Sequence, residues 1–224
     1  MVKKTMVCLC LALAVLTACN AKDNSQDGAA DADTSYAFGM LIGADIKPLG
    51  LTFNYNAFTE GMKAYIEDNA RITEEEAVAI VEQAIDEARK RESEANLESG
   101  KRFLEENSKK NGIITTESGL QYEVIKETDG PKPSADGVVQ VNYEGSLVDG
   151  KIFDSSYKRE EPVEFPLNQV IAGWTEGIQL MSPGSHYKFY IPPELGYGDQ
   201  SVGNGLIPAN SVLIFDVELL DILE

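Results

Sequence analysis

The spacing of apolar residues changes three times along the chain. Met6 to Leu16 is continuously apolar and follows Lys3 and Lys4, whereas Asn20 to Ala32 is small and polar. From Asp33 apolar residues recur at helical spacing. Tyr36, Met40 and Leu41 form one such set, and Lys47-Pro48-Leu49-Gly50 predicts its end. A second helix follows Asn54, with Phe58, Met62, Tyr65 and Ile66 on one face. A third begins at Thr73, where Thr73 and Glu76 have capping-box spacing. Ala77, Ile80, Val81, Ala84, Ile85 and Ala88 would be its buried stripe. Residues Arg89 to Arg102 keep helical propensity without a stripe, and Asp86/Lys90, Glu87/Arg91 and Glu98/Arg102 stand at ion-pair spacing. A helix that is polar all round is a solvated bridge or is unstable. If it runs from Thr73 to Asn111 it is about 58 Å long, with Gly100 as a weak point worth about 1 kcal/mol.

From Ser118 the period becomes two. Val139, Val141 and Tyr143 alternate with polar neighbours, as do Tyr187, Phe189 and Ile191. Leu213, Phe215, Val217 and Leu219 share one face of a last strand, and Asp149-Gly150 marks a hairpin. Helices followed by strands predict an α+β chain with two domains. The boundaries read as a signal segment 1–18, a tether 19–32, a helical domain with a long connecting helix 33–115, and a strand domain 116–224.

An apolar fraction of 43% indicates a folded body. The net charge of −18 excludes the basic surface that nucleic-acid binding needs. The first apolar run is too short to span a bilayer and has the layout of a secretory signal. Leu16-Thr17-Ala18-Cys19 resembles a bacterial lipobox, which implies cleavage before Cys19 and a lipid on it; an ordinary signal with a chance cysteine is the alternative. Cys8, Cys10 and Cys19 are the only cysteines, so the cleaved chain would hold no disulfide and no cysteine metal site. Removing Lys3 and Lys4 from the 19 basic residues leaves 17 against 37 acidic ones, a net charge of −20.

No conventional catalytic set is present. The single histidine, His186, falls beside Lys188 on the polar face of a strand and reads as a solvated surface residue. The carboxylates show no zinc or EF-hand spacing, and no cofactor is implied. Gly203-Asn204-Gly205 has no helix after it and is not a phosphate cradle.

The distinctive residues lie in the strand domain. Val141-Asn142-Tyr143-Glu144-Gly145 precedes Asp149-Gly150-Lys151-Ile152-Phe153-Asp154-Ser155-Ser156. Val170-Ile171-Ala172-Gly173-Trp174, Leu195-Gly196-Tyr197-Gly198 and Gly205-Leu206-Ile207-Pro208 follow, and Leu213 to Leu220 closes the chain. In order, type and approximate spacing this resembles the FKBP-type peptidyl-prolyl cis/trans isomerases from Ser118 to Glu224. The bland reading makes Trp174, Phe153 and Phe215 ordinary core and Asp154 a turn residue.

The resemblance implies a bent antiparallel sheet wrapped over a short helix, Gly173 to Leu180, with Trp174 as the floor of an apolar pocket. Its walls would be Tyr143, Phe153, Val170, Ile171, Tyr197 and Phe215, with Asp154 at the rim and Leu206-Ile207 overhanging. The Ile171 N–H and the Tyr197 hydroxyl would anchor substrate carbonyls, and Asp154 would orient Tyr143. Some members carry an aromatic residue at the wall position matched by Val163, so valine opens that wall and weakens the case for FK506-like macrolide ligands. Ser35 to Met40, Ala57 to Met62 and Thr116 to Tyr122 resemble the Mip/FkpA branch, which implies a homodimer through the N-terminal helices. The expected partners are proline-containing unfolded or flexible polypeptides and a membrane, held through a lipid anchor at Cys19. The expected location is the cell envelope, at an outer membrane, facing the periplasm or the surface. A client-binding holdase with little turnover is the alternative.

Overall fold

The computed structural model describes residues 30–223. The signal segment, Cys19 and most of the tether lie outside them. The chain divides between Gly43 and Ala44 into two compact units. The division falls inside the first helix, α1 (Ala32–Ile46), whose first turn is capped by Asp31 Oδ1 accepting from the Thr34 N–H at 2.7 Å. Tyr36, Phe38, Met40 and Leu41 are all exposed on it.

After α1 comes a one-turn 3-10 helix, Lys47–Leu49, closed by Gly50 in the left-handed region. Helix α2 (Tyr55–Ile66) starts where Asn54 Oδ1 accepts from the Ala57 N–H at 3.1 Å. Helix α3 (Glu74–Asn107) starts with the expected reciprocal box. Glu76 N–H donates to Thr73 Oγ1 at 3.2 Å and Thr73 N–H to Glu76 Oε2 at 2.8 Å.

Three expectations for α3 need correcting. It stops at Asn107 rather than Asn111, which makes it about 51 Å long. Its apolar stripe is not buried within the chain, since Ile80 and Val81 are more or less half exposed and only Ala88 of that set is covered. Asp86 pairs with Arg89 at 3.9 Å instead of Lys90, while Glu87–Arg91 and Glu98–Arg102 form as spaced, at 3.8 and 3.5 Å.

Seven strands form one antiparallel sheet in the order β1-β2-β6-β7-β3-β4, with β5 also paired to β3. They are β1 (Ile113–Thr115), β2 (Gln121–Lys126), β3 (Val138–Leu147), β4 (Ile152–Ser155), β5 (Val163–Pro166), β6 (His186–Ile191) and β7 (Leu213–Leu223). The sheet therefore begins at Ile113, just before Thr116. Strand β3 carries the bend. One edge runs along β7 throughout, whereas the other pairs with β5 at Val138–Val141 and with β4 at Glu144–Ser146. Register shifts at Gln140/Val141 and Gly145/Ser146 turn the strand between those partners. A one-turn helix, α4 (Ser156–Arg159), links β4 to β5, and α5 (Ala172–Ile178) packs inside the curve.

Alternation fixes the core. Val139, Val141, Tyr143, Tyr187, Phe189, Ile191, Leu213, Phe215, Val217 and Leu219 are buried, as their period predicts. Tyr190 breaks the pattern. It belongs to the polar face yet is buried, because Phe103 of α3 lies over it with ring centroids 6.0 Å apart.

Candidate active site

A cavity of about 590 Å³ opens on the concave face of the sheet. Its floor is Trp174, which α5 holds inward at 6% exposure. Tyr143 and Phe215 stand edge-on to Trp174 at 5.0 and 4.9 Å, and Phe165 is tilted against it at 5.1 Å. The indole N–H is buried with no acceptor. Phe153 meets Phe215 edge-on at 5.5 Å. These two rings fit because Gly145 has no side chain: a Cβ there would lie 2.6–2.7 Å from both.

The structure brings every sequence-predicted pocket residue to this one cavity: Tyr143, Phe153, Asp154, Val163, Val170, Ile171, Trp174, Tyr197, Leu206, Ile207 and Phe215. It adds Phe165, Gln169, Val202 and Gly203. Phe165 matters most, because it supplies an aromatic wall two residues after Val163 on the same face of β5. Strict alternation after Pro162 was the signal that would have found it.

Besides the indole N–H, two donors of cavity-lining residues are unpaired among the described residues. The Ile171 N–H sits at the N-cap of α5, outside its hydrogen-bond ladder. The Tyr197 side chain, 38% exposed, follows a 3-10 turn, Pro193–Leu195, that is closed by Gly198 N–H donating to the Pro193 carbonyl at 2.9 Å. Burial pushes the Tyr197 hydroxyl pKa up, helped by the Asp154 charge, so it stays a donor.

The rim holds a charged set that sequence reasoning only half found. Tyr143 donates to Asp154 Oδ2, Arg159 Nη1 donates to Asp154 Oδ1, and Arg159 Nη2 donates to the Tyr143 hydroxyl at 3.1 Å. Ser155 N–H adds a fourth bond, to Asp154 Oδ1 at 2.8 Å. Burial opposes the Asp154 charge, but the Tyr143 and Arg159 hydrogen bonds, the guanidinium charge and the Ser155 N–H outweigh it. The carboxyl pKa is therefore held below its ordinary value. Burial and the bond to Asp154 raise the Tyr143 pKa. Arg159 ends α4 beneath Glu160, which adopts a left-handed conformation (φ 56°), and its guanidinium lies 5.7 Å from the centre of the Tyr143 ring.

His186 lies away from this cavity and is not simply solvated. It bonds Asp216 Oδ1 at 2.5 Å, with Glu218 at 4.0 Å. Among the described residues no cluster of three metal-ligating side chains occurs, and no helix is long and apolar enough to cross a membrane. Gly203-Asn204-Gly205 forms a turn with φ of 63°, 54° and 89°, closed by the Val202–Ile207 bridge, and no helix follows it among the described residues.

Residues 130–220 match the family model for FKBP-type peptidyl-prolyl cis-trans isomerase, and residues 31–124 match that for the domain amino terminal to it. A probable FkpA isomerase of Neisseria meningitidis is 43% identical over 84% of this chain and 73% of its own length. The chain belongs to the FKBP-type peptidyl-prolyl cis-trans isomerases. Within that family it falls in the FkpA/Mip branch. The Mip isomerase of Coxiella burnetii is 36% identical over 84% of this chain and 85% of its own. The crystal structure of FkpA from Escherichia coli matches with a TM-score of 0.68 at 34% identity, covering 86% of this chain and 97% of that one. The FKBP fold, the α+β class and isomerase activity follow for this chain.

Proposed function

We propose that this FKBP-type isomerase accelerates X-Pro isomerisation in unfolded or flexible polypeptides of the cell envelope by holding a twisted amide without covalent chemistry. The observation that carries the reading is the single cavity in which an indole floor, two unpaired donors and one buttressed carboxylate converge.

The chemistry needs no more than this. Amide resonance locks the prolyl bond behind about 18–20 kcal/mol, and uncatalysed exchange takes tens to hundreds of seconds. No bond breaks, so no nucleophile is required. Twisting the amide localises its charge, and an aromatic cage favours the less delocalised form over the hydrated planar one. In this reading the proline ring rests on Trp174, between Tyr143, Phe153, Phe165 and Phe215. The Ile171 N–H and Tyr197 hydroxyl each donate to a substrate carbonyl. Asp154, held by Tyr143 and Arg159, turns a fixed negative charge toward the carbonyl carbon of the twisted bond. Val163, Val170, Leu206 and Ile207 close the sides. Val163 leaves one wall low, so FK506-like macrolides are proposed as weak ligands.

Residues 33–115 are proposed to pair two copies, with residues 116–224 as the isomerase domain. Support comes from the apolar side chains left exposed on α1, α2 and α3, among them Tyr36, Leu41, Tyr65, Ile66, Ile80 and Val81. A lipid on Cys19 would tether the dimer to the outer membrane. The same apolar helices favour a second reading, in which the dimer also holds aggregation-prone clients.

One experiment separates the two roles. Refolding of a client limited by proline isomerisation and aggregation of a client without that limit are followed with wild type and Asp154→Leu. Slowed refolding with unchanged aggregation suppression is expected. Loss of neither would remove Asp154 from the site.

A further inference from the structure

The loop that overhangs the pocket, residues 199–212, is fastened to α3 rather than to the strand domain alone. Its outer half is a tight turn closed on itself. Val202 N–H donates to the Ile207 carbonyl at 2.9 Å, and Ile207 N–H returns a bond to Val202 at 3.1 Å. Those bonds shape the turn without fixing where it stands over the cavity. Lys151 Nζ reaches the Leu206 carbonyl at only 3.4 Å, and Leu206 is exposed. Ile207 is buried in the core with Val202 packed against it, while Leu206 stays exposed, so the height of the exposed tip depends on how the base of the loop is held.

The base is held on one side by Asn210 N–H donating to the Gly198 carbonyl at 2.7 Å and on the other by α3. Asn96 Nδ2 donates to the Ala209 carbonyl at 3.0 Å, and Asn210 Nδ2 donates to Ser93 Oγ at 2.8 Å. Asn210 is itself in the left-handed region, at φ 57°. Val212 then packs onto Gly100, where a Cβ would lie 2.8 Å from Val212 Cγ2. Ser93, Asn96 and Gly100 are spaced i, i+3, i+7 and so share one face. Below them Leu104 accepts from Gln121 Nε2 at 2.9 Å, and the buried Asn107 donates to Gln121 Oε1 at 3.0 Å. The stretch of helix without an apolar stripe is thus docked through small and polar residues.

We propose that Ser93, Asn96 and Gly100 are positioning residues of the isomerase. They set the height of Leu206 and Ile207 over the pocket, so the arm forms part of the catalytic domain instead of a spacer beside it. None of the three touches substrate. They act through the 209–212 strap, and they select among substrates by the room left for the residue before proline. The inference rests on the placement of the prolyl bond in this cavity.

The test uses the full chain carrying Ser93→Ala with Asn96→Ala, and separately Gly100→Leu. Steady-state kinetics are measured on Xaa-Pro peptides with alanine or phenylalanine before proline, and amide exchange is followed at 202–207. Both variants are expected to speed exchange at 202–207 about tenfold and to lower kcat/KM about three- to tenfold. The loss should fall mainly in KM and differ between the two peptides. Ser93→Thr combined with native Asn96, which keeps the hydroxyl acceptor, should retain wild-type values. Glu94→Ala and Glu98→Ala, on exposed faces of the same helix, serve as controls. A kcat/KM within 1.5-fold of wild type for both peptides in both variants overturns the proposal, whatever happens to stability or exchange. If wild type itself fails to act on either peptide, the isomerase reading falls, and unchanged exchange at 202–207 would then overturn the docking role independently.

Discussion

Replacing Tyr197 by phenylalanine separates catalysis from folding cleanly. The hydroxyl has no partner among the described residues and its side chain is 38% exposed. Removing it from the free protein breaks no hydrogen bond and opens no cavity, so stability should stay within about 0.5 kcal/mol of wild type. In the proposed complex the same hydroxyl would donate to a substrate carbonyl. A neutral hydrogen bond of this kind is worth about 0.5–1.5 kcal/mol net, which corresponds to about a two- to twelvefold loss of kcat/KM. Tyr143→Phe provides the contrast. Its hydroxyl donates to Asp154 and accepts from Arg159, so its loss should lower stability by about 1 kcal/mol as well as activity. The assays are urea unfolding and exchange of a proline tetrapeptide on the same samples. A Tyr197→Phe chain that keeps full kcat/KM, or that unfolds at distinctly lower urea, would refute the assignment of a free donor.

Four further outcomes are expected. Gly145→Ala puts a methyl group within 2.7 Å of Phe153 and Phe215, so overpacking should cost about 1–3 kcal/mol, read as a lower urea midpoint together with impaired turnover. The depressed pKa of Asp154 means that its contribution to stability is complete above the ordinary value of about 3.9 and is lost only as pH falls through the lower folded value. Activity should therefore be flat from about pH 5 to 9. Tyr157 shows the opposite sign: burial and the nearby Glu218 raise its pKa to about 12, so the stability it contributes should fade as pH rises from about 10, seen as alkaline unfolding. The chain from Asn20 onward should sediment as a dimer at micromolar concentration, and Ile80→Asp with Val81→Asp should yield monomers; a monomeric parent chain would remove the pairing role of the helices.

The sheet was legible because period two is a strong signal on a half-buried surface. Val139 to Tyr143 and Leu213 to Leu219 declare their inner face directly. The capping box at Thr73 and Glu76 was legible for a similar reason, since both partners lie within one turn. The aromatic floor and walls came from residues whose type and order are distinctive together. What escaped was long-range and polar. Arg159 sits in a run of charges, Lys158-Arg159-Glu160-Glu161, that reads as a solvated turn; only the return of the chain past β3 places it on Asp154 and Tyr143. Ser93, Asn96 and Gly100 carry no apolar signal, so a docked face looked like a solvated arm. Tyr190 looked exposed by alternation because its cover, Phe103, lies far from it in sequence. Phe165 escaped because β5 is only four residues long, so a single step of alternation from Val163 marks its inward face.

Whether the aromatic pocket twists an X-Pro amide without covalent chemistry is read most directly by exchange NMR. Cis and trans resonances of a Phe-Pro peptide are followed with catalytic amounts of wild type and of Asp154→Leu. Wild type should broaden and exchange the two sets far beyond the uncatalysed rate, and Asp154→Leu should retain the fold while losing at least about tenfold of that effect. Equal exchange by the two proteins would contradict a pocket that works through a fixed charge over an indole floor.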